Sequence, residues 1–341
     1  MSFSAERFSR RRSLAVTVIS VNAVIALSAC SGTGNPAADT TTATSTAPVP
    51  RGVVSRSEAA AVVDHYEEVN AQANKTQNAE LLGTVEGGQL YEQSKADYRF
   101  FPTWPKRDQA YYKKAFTYRD RSYYIPEGQS WFAVKATASG SKDQALLVFD
   151  KTTDRRFKMV AAIYSDSTSQ IPAIDTGNHG LATAVAPSTR VGALAPDQIA
   201  GAYEDLYATG GKNAGTQLAS TTATRTVLKT YRERTTYKNA KYATLHWETA
   251  QPTRPRIYAL RLRDGGALVV FPTAHNRMEQ LKDGYIYKGY IKLVPGSQQA
   301  VYNKTPRVAI LDELQGQALA ALTPSGKPAV LGVEYRMVDS R

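Results

Sequence analysis

At 341 residues, with 42 Lys+Arg against 30 Asp+Glu and a formal net charge of +12, the chain is basic and longer than one core usually serves. Its single cysteine excludes an intrachain disulfide, so packing alone must hold the fold. The four histidines lie far apart without metal-ligand spacing, so the sequence implies no metal and no cofactor.

The first 29 residues read as a targeting peptide. Arg7, Arg10, Arg11 and Arg12 form a basic start, and Leu14 to Leu27 is a mostly apolar stretch. That stretch is shorter than the ~20 residues needed to span a bilayer. Leu27-Ser28-Ala29-Cys30 resembles the bacterial lipobox. The resemblance implies a diacylglyceryl group on the Cys30 thiol, cleavage before it, and attachment to the outer face of the cell membrane. Ser9 to Leu14 also resembles a twin-arginine signal, with Ser13 where that signal has an aromatic, and the general secretory route stays open beside it. Residues 30–56 form a Thr/Ala/Pro-rich tether that cannot bury enough apolar area to order itself. Without the first 29 residues (four Arg and one Glu) the net charge is +9, which suits anionic lipids or envelope polymers. The charges are scattered, and neither a recognition helix nor an RNA-binding aromatic motif accompanies them. No nucleic-acid partner is expected.

The remainder reads as two copies of one unit, residues 57–188 and 189–341. Val62, Tyr66 and Val69 align with Ile199, Tyr203 and Leu206, each set at the i, i+4, i+7 spacing of an amphipathic helix. Ser57 and Asp197 are the expected N-caps. The same offset of 137 carries Leu81 onto Leu218 and Leu90-Tyr91 onto Val227-Leu228, the second helix of each copy. Strands follow at 132–137 and 145–149 in the first copy, and at 258–263 and 267–271 in the second. "ASGSKDQ" and "DGG" supply the hairpin turns between them. Asp154-Arg155 and Asn276-Arg277 look like the next turns. Further strands are expected at 157–164, 285–294 and 329–338, while 310–322 reads as a helix or a bent strand. The fold class is therefore α+β: two tandem repeats, each a helix pair on a curved antiparallel sheet. NTF2-like and cystatin-like domains share that plan by analogy, which licenses no function.

"YEEVNAQANKT" (66–76), "YYIPEGQSWFAVKA" (123–136), "DGGALVVF" (264–271) and "KPAVLGVEYR" (327–336) carry a resemblance over residues 57–341. With its lipobox and tether, the chain resembles uncharacterised actinobacterial lipoproteins that hold a large domain of unknown function. The resemblance implies an address and an architecture. It brings no reaction, ligand or catalytic residue.

Chemistry is sparse. His65 beside Asp64 on the first helix could act as a base, making Asp64, His65 and Tyr66 candidates for a cavity in the first repeat. "IDTG" (174–177) lacks the second aspartate loop that a protease needs, and Ser139 to Lys142 places S-x-x-K spacing in a turn instead of at a helix start. Residues 100–132 are dense in aromatics interleaved with Lys and Arg, and the second copy has only "TYKNAKYA" (236–243) in their place. Tyr111, Tyr112, Tyr118 and Trp131 are the candidate binding residues of that stretch. The expected function is a non-enzymatic, lipid-anchored module that binds a cell-envelope protein or glycan through this stretch or the groove between repeats. Two alternatives stand beside it: an enzyme or small-molecule binder using the first cavity, and electrostatic association with anionic envelope polymers.

Overall fold

The computed structural model describes residues 52–165, 170–177 and 179–341; the expected targeting peptide, Cys30 and the expected tether as far as Arg51 lie outside the described residues. Helix α1 (Arg56–Thr76) opens on a capping box at Ser55. The Ser55 hydroxyl accepts from the Glu58 amide at 3.2 Å, and the Glu58 carboxylate accepts from the Ser55 amide at 2.7 Å. The expected cap at Ser57 is displaced because a box needs Glu or Gln three residues on, and Ser57 has Ala60 there. Helices α2 (Gly88–Phe100) and α3 (Lys106–Tyr112) follow. Strands β1 (Tyr118–Tyr124), β2 (Trp131–Ala138), β3 (Gln144–Lys151) and β4 (Phe157–Tyr164) then form an antiparallel sheet in chain order.

The second half carries α4 (Ile199–Ala208) and α5 (Thr222–Glu233), with Asp197 inside the 3-10 turn that leads into α4. Its strands are β5 (Ala243–Thr249), β6 (Tyr258–Arg261), β7 (Ala267–Leu281), β8 (Ala309–Leu322) and β9 (Ala329–Ser340). They form a five-stranded antiparallel sheet in the order β5-β7-β8-β9, with β6 also on β7. The fold is α+β. Two expectations fail locally. Asn276-Arg277 is no turn but the middle of β7, whose length lets β6 pair with its first part and β5 with its second. Residues 285–294 form no strand, while 310–322, open between a helix and a bent strand, lies in strand β8. Strands β1 and β5 escaped notice because charged residues interrupt their apolar pattern.

The uninterrupted apolar runs "ALLVF" and "ALVVF" record burial on both faces of a sheet. Ala145, Leu147 and Phe149 of β3, with Phe132 and Val134 of β2, pack under α1 against Val63 and Tyr66. Their alternate neighbours Leu146, Val148 and Ala133 point the other way, onto Tyr258, Leu268, Val270 and Leu319 of the second sheet. On the far face of that sheet Val269, Phe271 and Ala320 lie beneath Tyr203 and Leu206 of α4. The layers therefore run helix, sheet, sheet, helix. Backbones come close where the sheets meet, for a Cβ on Gly332 would stand 2.2 Å from the Tyr164 carbonyl oxygen.

Helix α2 keeps Tyr98 in the first core and also docks on β8 and β9. Gln89 Nε2 donates to Gln315 Oε1 at 2.6 Å, and Gln93 Nε2 to the Glu334 carbonyl at 2.8 Å. Arg336 Nε donates to Asp97 at 2.7 Å. Across the sheets, Tyr258 and Arg256 both reach the buried Asp150, at 2.8 and 2.7 Å.

Candidate functional site

The layer between the sheets opens at one end into a polar cavity of about 390 Å³. Its lining includes Arg56 at the start of α1, Arg121 to Tyr124 of β1, Lys135 of β2, Ala173, Ile174 and Thr176 of the connection, and Arg263 after β6. Lys135 follows Trp131 and Ala133 on the inter-sheet face of β2, so the face that is apolar inside the sandwich ends in an ammonium group at the mouth. Arg263 is held by its backbone, whose amide donates to the Ala173 carbonyl at 3.0 Å while Ile174 bridges Leu262.

Arg121 reaches the site through a bulge. The β1–β2 register shifts between Arg119 and Ser122, with Asp120 at φ 54°. The guanidinium thereby turns toward α1 and binds Asp64 at 2.5 Å and Glu67 at 2.6 Å. Those carboxylates stand three residues apart, on one helix face. Burial works against the Arg121 charge, but Asp64, Tyr123 and Glu67 outweigh it and raise the pKa. Burial raises the Tyr124 phenol too, against Ser122 and Arg263, which lower it.

Among the described residues, no carboxylate lies within ion-pair distance of Arg56, Lys135 or Arg263, and the lining holds no His, Cys, Asp or Glu. Two carboxylates serve Arg121 alone. A concave site with this excess of cations and the hydroxyls of Ser122, Tyr123 and Thr176 suits an oxyanion such as a phosphate or carboxylate. Within the lining, no His or carboxylate stands beside these hydroxyls.

The sequence-derived candidates are dispersed. Asp64 is exposed and serves the cavity only through Arg121, while His65 beside it is exposed. Tyr66 is buried and donates to Glu86 Oε1 at 2.9 Å, so the three share no cavity. In the aromatic stretch, Tyr118 and Trp131 are each 4% exposed, Tyr111 and Tyr112 are half-buried, and Tyr112 packs edge-on against Tyr98 and Trp104. Helix α3, β1 and β2 use the rings of Tyr112, Tyr118 and Trp131 for packing, leaving Lys113 and Lys114 on the outside.

Two buried polar clusters went unforeseen. Glu86, Tyr66, Asn70, Asn74 and Tyr98 form a chain of hydrogen bonds beneath the first sheet. Burial pushes the Glu86 carboxyl up to about 7, opposed by hydrogen bonds from Ser94, Tyr66 and Asn70. In the second half Glu204, His275, Thr273 and Tyr335 meet, with His275 Nδ1 2.9 Å from Glu204 Oε2 and Thr273 and Tyr335 both donating to Oε1. Tyr207 packs on the His275 ring at 4.1 Å, and burial beside Glu204 raises the Tyr335 phenol far above its usual range. Glu204 immediately follows Tyr203 as Glu67 follows Tyr66, and that shared Tyr-Glu pair was the available signal.

Residues 50–341 match the domain of unknown function DUF8094. The chain belongs to the DUF8094 family. An uncharacterised lipoprotein of Streptomyces coelicolor is 31% identical over 312 residues, covering 88% of this chain and 86% of the relative. No solved structure matches. In this DUF8094 chain no helix of the described residues is long and apolar enough to cross a membrane.

Proposed function

We propose that this protein is a lipid-anchored, extracytoplasmic binding module that holds an anionic cell-envelope glycan in the cavity between its sheets. The observation that carries the reading is the set of cations Arg56, Lys135 and Arg263, unneutralised among the described residues, around a cavity of about 390 Å³. The envelope address draws support from the lipobox at Cys30 and from a relative that is itself a lipoprotein. The module works by binding and carries out no reaction of its own.

The cavity sits between two copies of one unit, 57–188 and 189–341. The duplication is supported by Tyr66 and Tyr203, both buried on the first long helix of their halves, and by matching hairpins at β2–β3 and β6–β7. The two sheets differ in how their first strands pair, so the second copy has diverged most around β5. A catalytic site built on Asp64, His65 and Tyr66 gains no support from their separate placement.

The test is co-sedimentation of the chain with purified cell-wall sacculi over a salt series, before and after removal of their anionic polymers. Binding should fall on removal, and Lys135→Ala and Arg263→Ala should each weaken it roughly tenfold or more, the scale of a lost charge-assisted hydrogen bond. Binding untouched by both substitutions would refute the cavity as the site.

A further inference from the structure

Among the described residues, the exposed large hydrophobic side chains are Tyr242 (44%), Tyr287 (97%), Tyr290 (63%), Val294 (57%) and Val308 (37%). All five lie at one end of the second sheet, and none belongs to the cavity lining. The backbone brings them together there: the Lys282 amide donates to the Tyr242 carbonyl at 2.9 Å, and the Leu281 amide to the Val308 carbonyl at 2.8 Å. Ile291 pairs with Arg307 and sinks into a small core with Ala243, Leu281 and Ile310. Tyr285 packs edge-on against Tyr242 at 5.2 Å. The 282–294 excursion is thus pinned from beneath while Tyr287 and Tyr290 project from it. A loop anchored this way displays its aromatics at fixed positions, and nothing in the described fold covers them.

The charge around this patch is mostly positive. Lys238, Lys241, Lys288, Lys292, Lys304 and Arg307 are all exposed. In the three segments 238–242, 282–294 and 304–308 the only carboxylate is Asp283. Tyrosines with lysines between them match a bilayer interface, where the ring lies at headgroup depth and the ammonium reaches anionic phosphates. The partly exposed aliphatic groups of Val294 and Val308 gain more from an apolar phase than from a sugar surface.

We infer that the 242, 282–294 and 304–308 end of the second sheet is a membrane-docking surface that seats the folded part on anionic lipid. This rests on the attachment through Cys30 proposed above. From Cys30 to Gly52 the fully extended chain spans at most roughly 75 Å, which keeps the patch near the bilayer at high effective concentration. Weak contacts then suffice. Docking here orients the molecule, with β5, β7 and β8 meeting the membrane end-on at their 243, 281 and 309 termini.

Cys30 is the only thiol. The chain from Cys30 onward, which contains every described sheet and core, can therefore be coupled through that thiol to vesicles bearing a maleimide lipid. Backbone hydrogen exchange is then compared on phosphatidylglycerol-containing and pure phosphatidylcholine vesicles. Exchange over 283–294 should slow on the anionic vesicles alone, and Tyr287→Ser with Tyr290→Ser should abolish the effect without changing exchange in β2, β3 and β7. Each lysine at an anionic surface favours docking roughly fivefold, so Lys288→Gln with Lys292→Gln should cut the docking equilibrium constant about 25-fold. Equal exchange on both vesicle types, or protection confined to residues outside this end, would overturn the inference. Because the coupling is chemical, a native Cys30 without lipid would count against the attachment alone, and a missing footprint against the docking alone.

Discussion

Glu86 supplies a sharp test of the buried network under the first sheet. Its carboxyl is 3% exposed, and burial raises its pKa from 4.5 to about 7. Between those values the folded chain keeps a proton that the unfolded chain has released. Stability from this group is therefore complete below pH 4.5 and declines as pH rises to about 7. A rise of that size corresponds to about 3 kcal/mol, since each unit is worth ~1.4 kcal/mol. Glu86→Gln keeps an oxygen to accept from the Tyr66 hydroxyl and the Asn70 amide but cannot ionise. Urea unfolding of both forms at pH 4.5 and pH 8 isolates the effect, because every other titrating group cancels in the double difference. The two forms should be nearly equal at the lower pH, and the glutamine form should be more stable at the higher by about 3 kcal/mol. Stability profiles that run parallel across this range would refute the argument.

Three further outcomes follow from the packing. Gly332→Ala should destabilise by about 2 kcal/mol or more in thermal unfolding, because its Cβ would meet the Tyr164 carbonyl at 2.2 Å and push the sheets apart. Asp97→Ala should cost about 3 kcal/mol by urea titration, since it strips the close carboxylate from the partly buried Arg336 and loosens α2 from β9. Tyr335→Phe should cost about 1–2 kcal/mol at pH 7, because Glu204 keeps Thr273 and His275 but loses one buried donor.

Much of the secondary structure could be read from local pattern. The runs at 132–137, 145–149, 157–164 and 329–338 are strands because branched and aromatic side chains crowd them, and Asp264-Gly265-Gly266 turns because Gly265 takes φ 83°. The spacing of Tyr66 and Tyr203 likewise announced helices, for one face of each had to be apolar. The strands at 118–124 and 243–249 were hidden, since each lies at a sheet edge where polar residues are tolerated. Aromatic density misled in both directions. In 100–132 the rings of Tyr112, Tyr118 and Trp131 pack inward while Arg121 to Tyr124 line the cavity, whereas 285–294 read as a strand and carry the most exposed rings.

Sequence alone determined the basic charge, the absence of disulfides and the α+β content, because these depend on composition and short-range periodicity. Tertiary structure decided what each charged or aromatic residue does. Lys135 and Arg263 are separated by 128 positions in the chain, and only the stacking of one sheet on the other places them around one cavity. Glu67 and Glu204 each follow a buried helical tyrosine, yet one binds Arg121 through a strand bulge and the other His275 from the middle of a long strand. Side-chain identity sets what a residue can bind. Which partner it meets depends on long-range packing, and no local pattern encodes that.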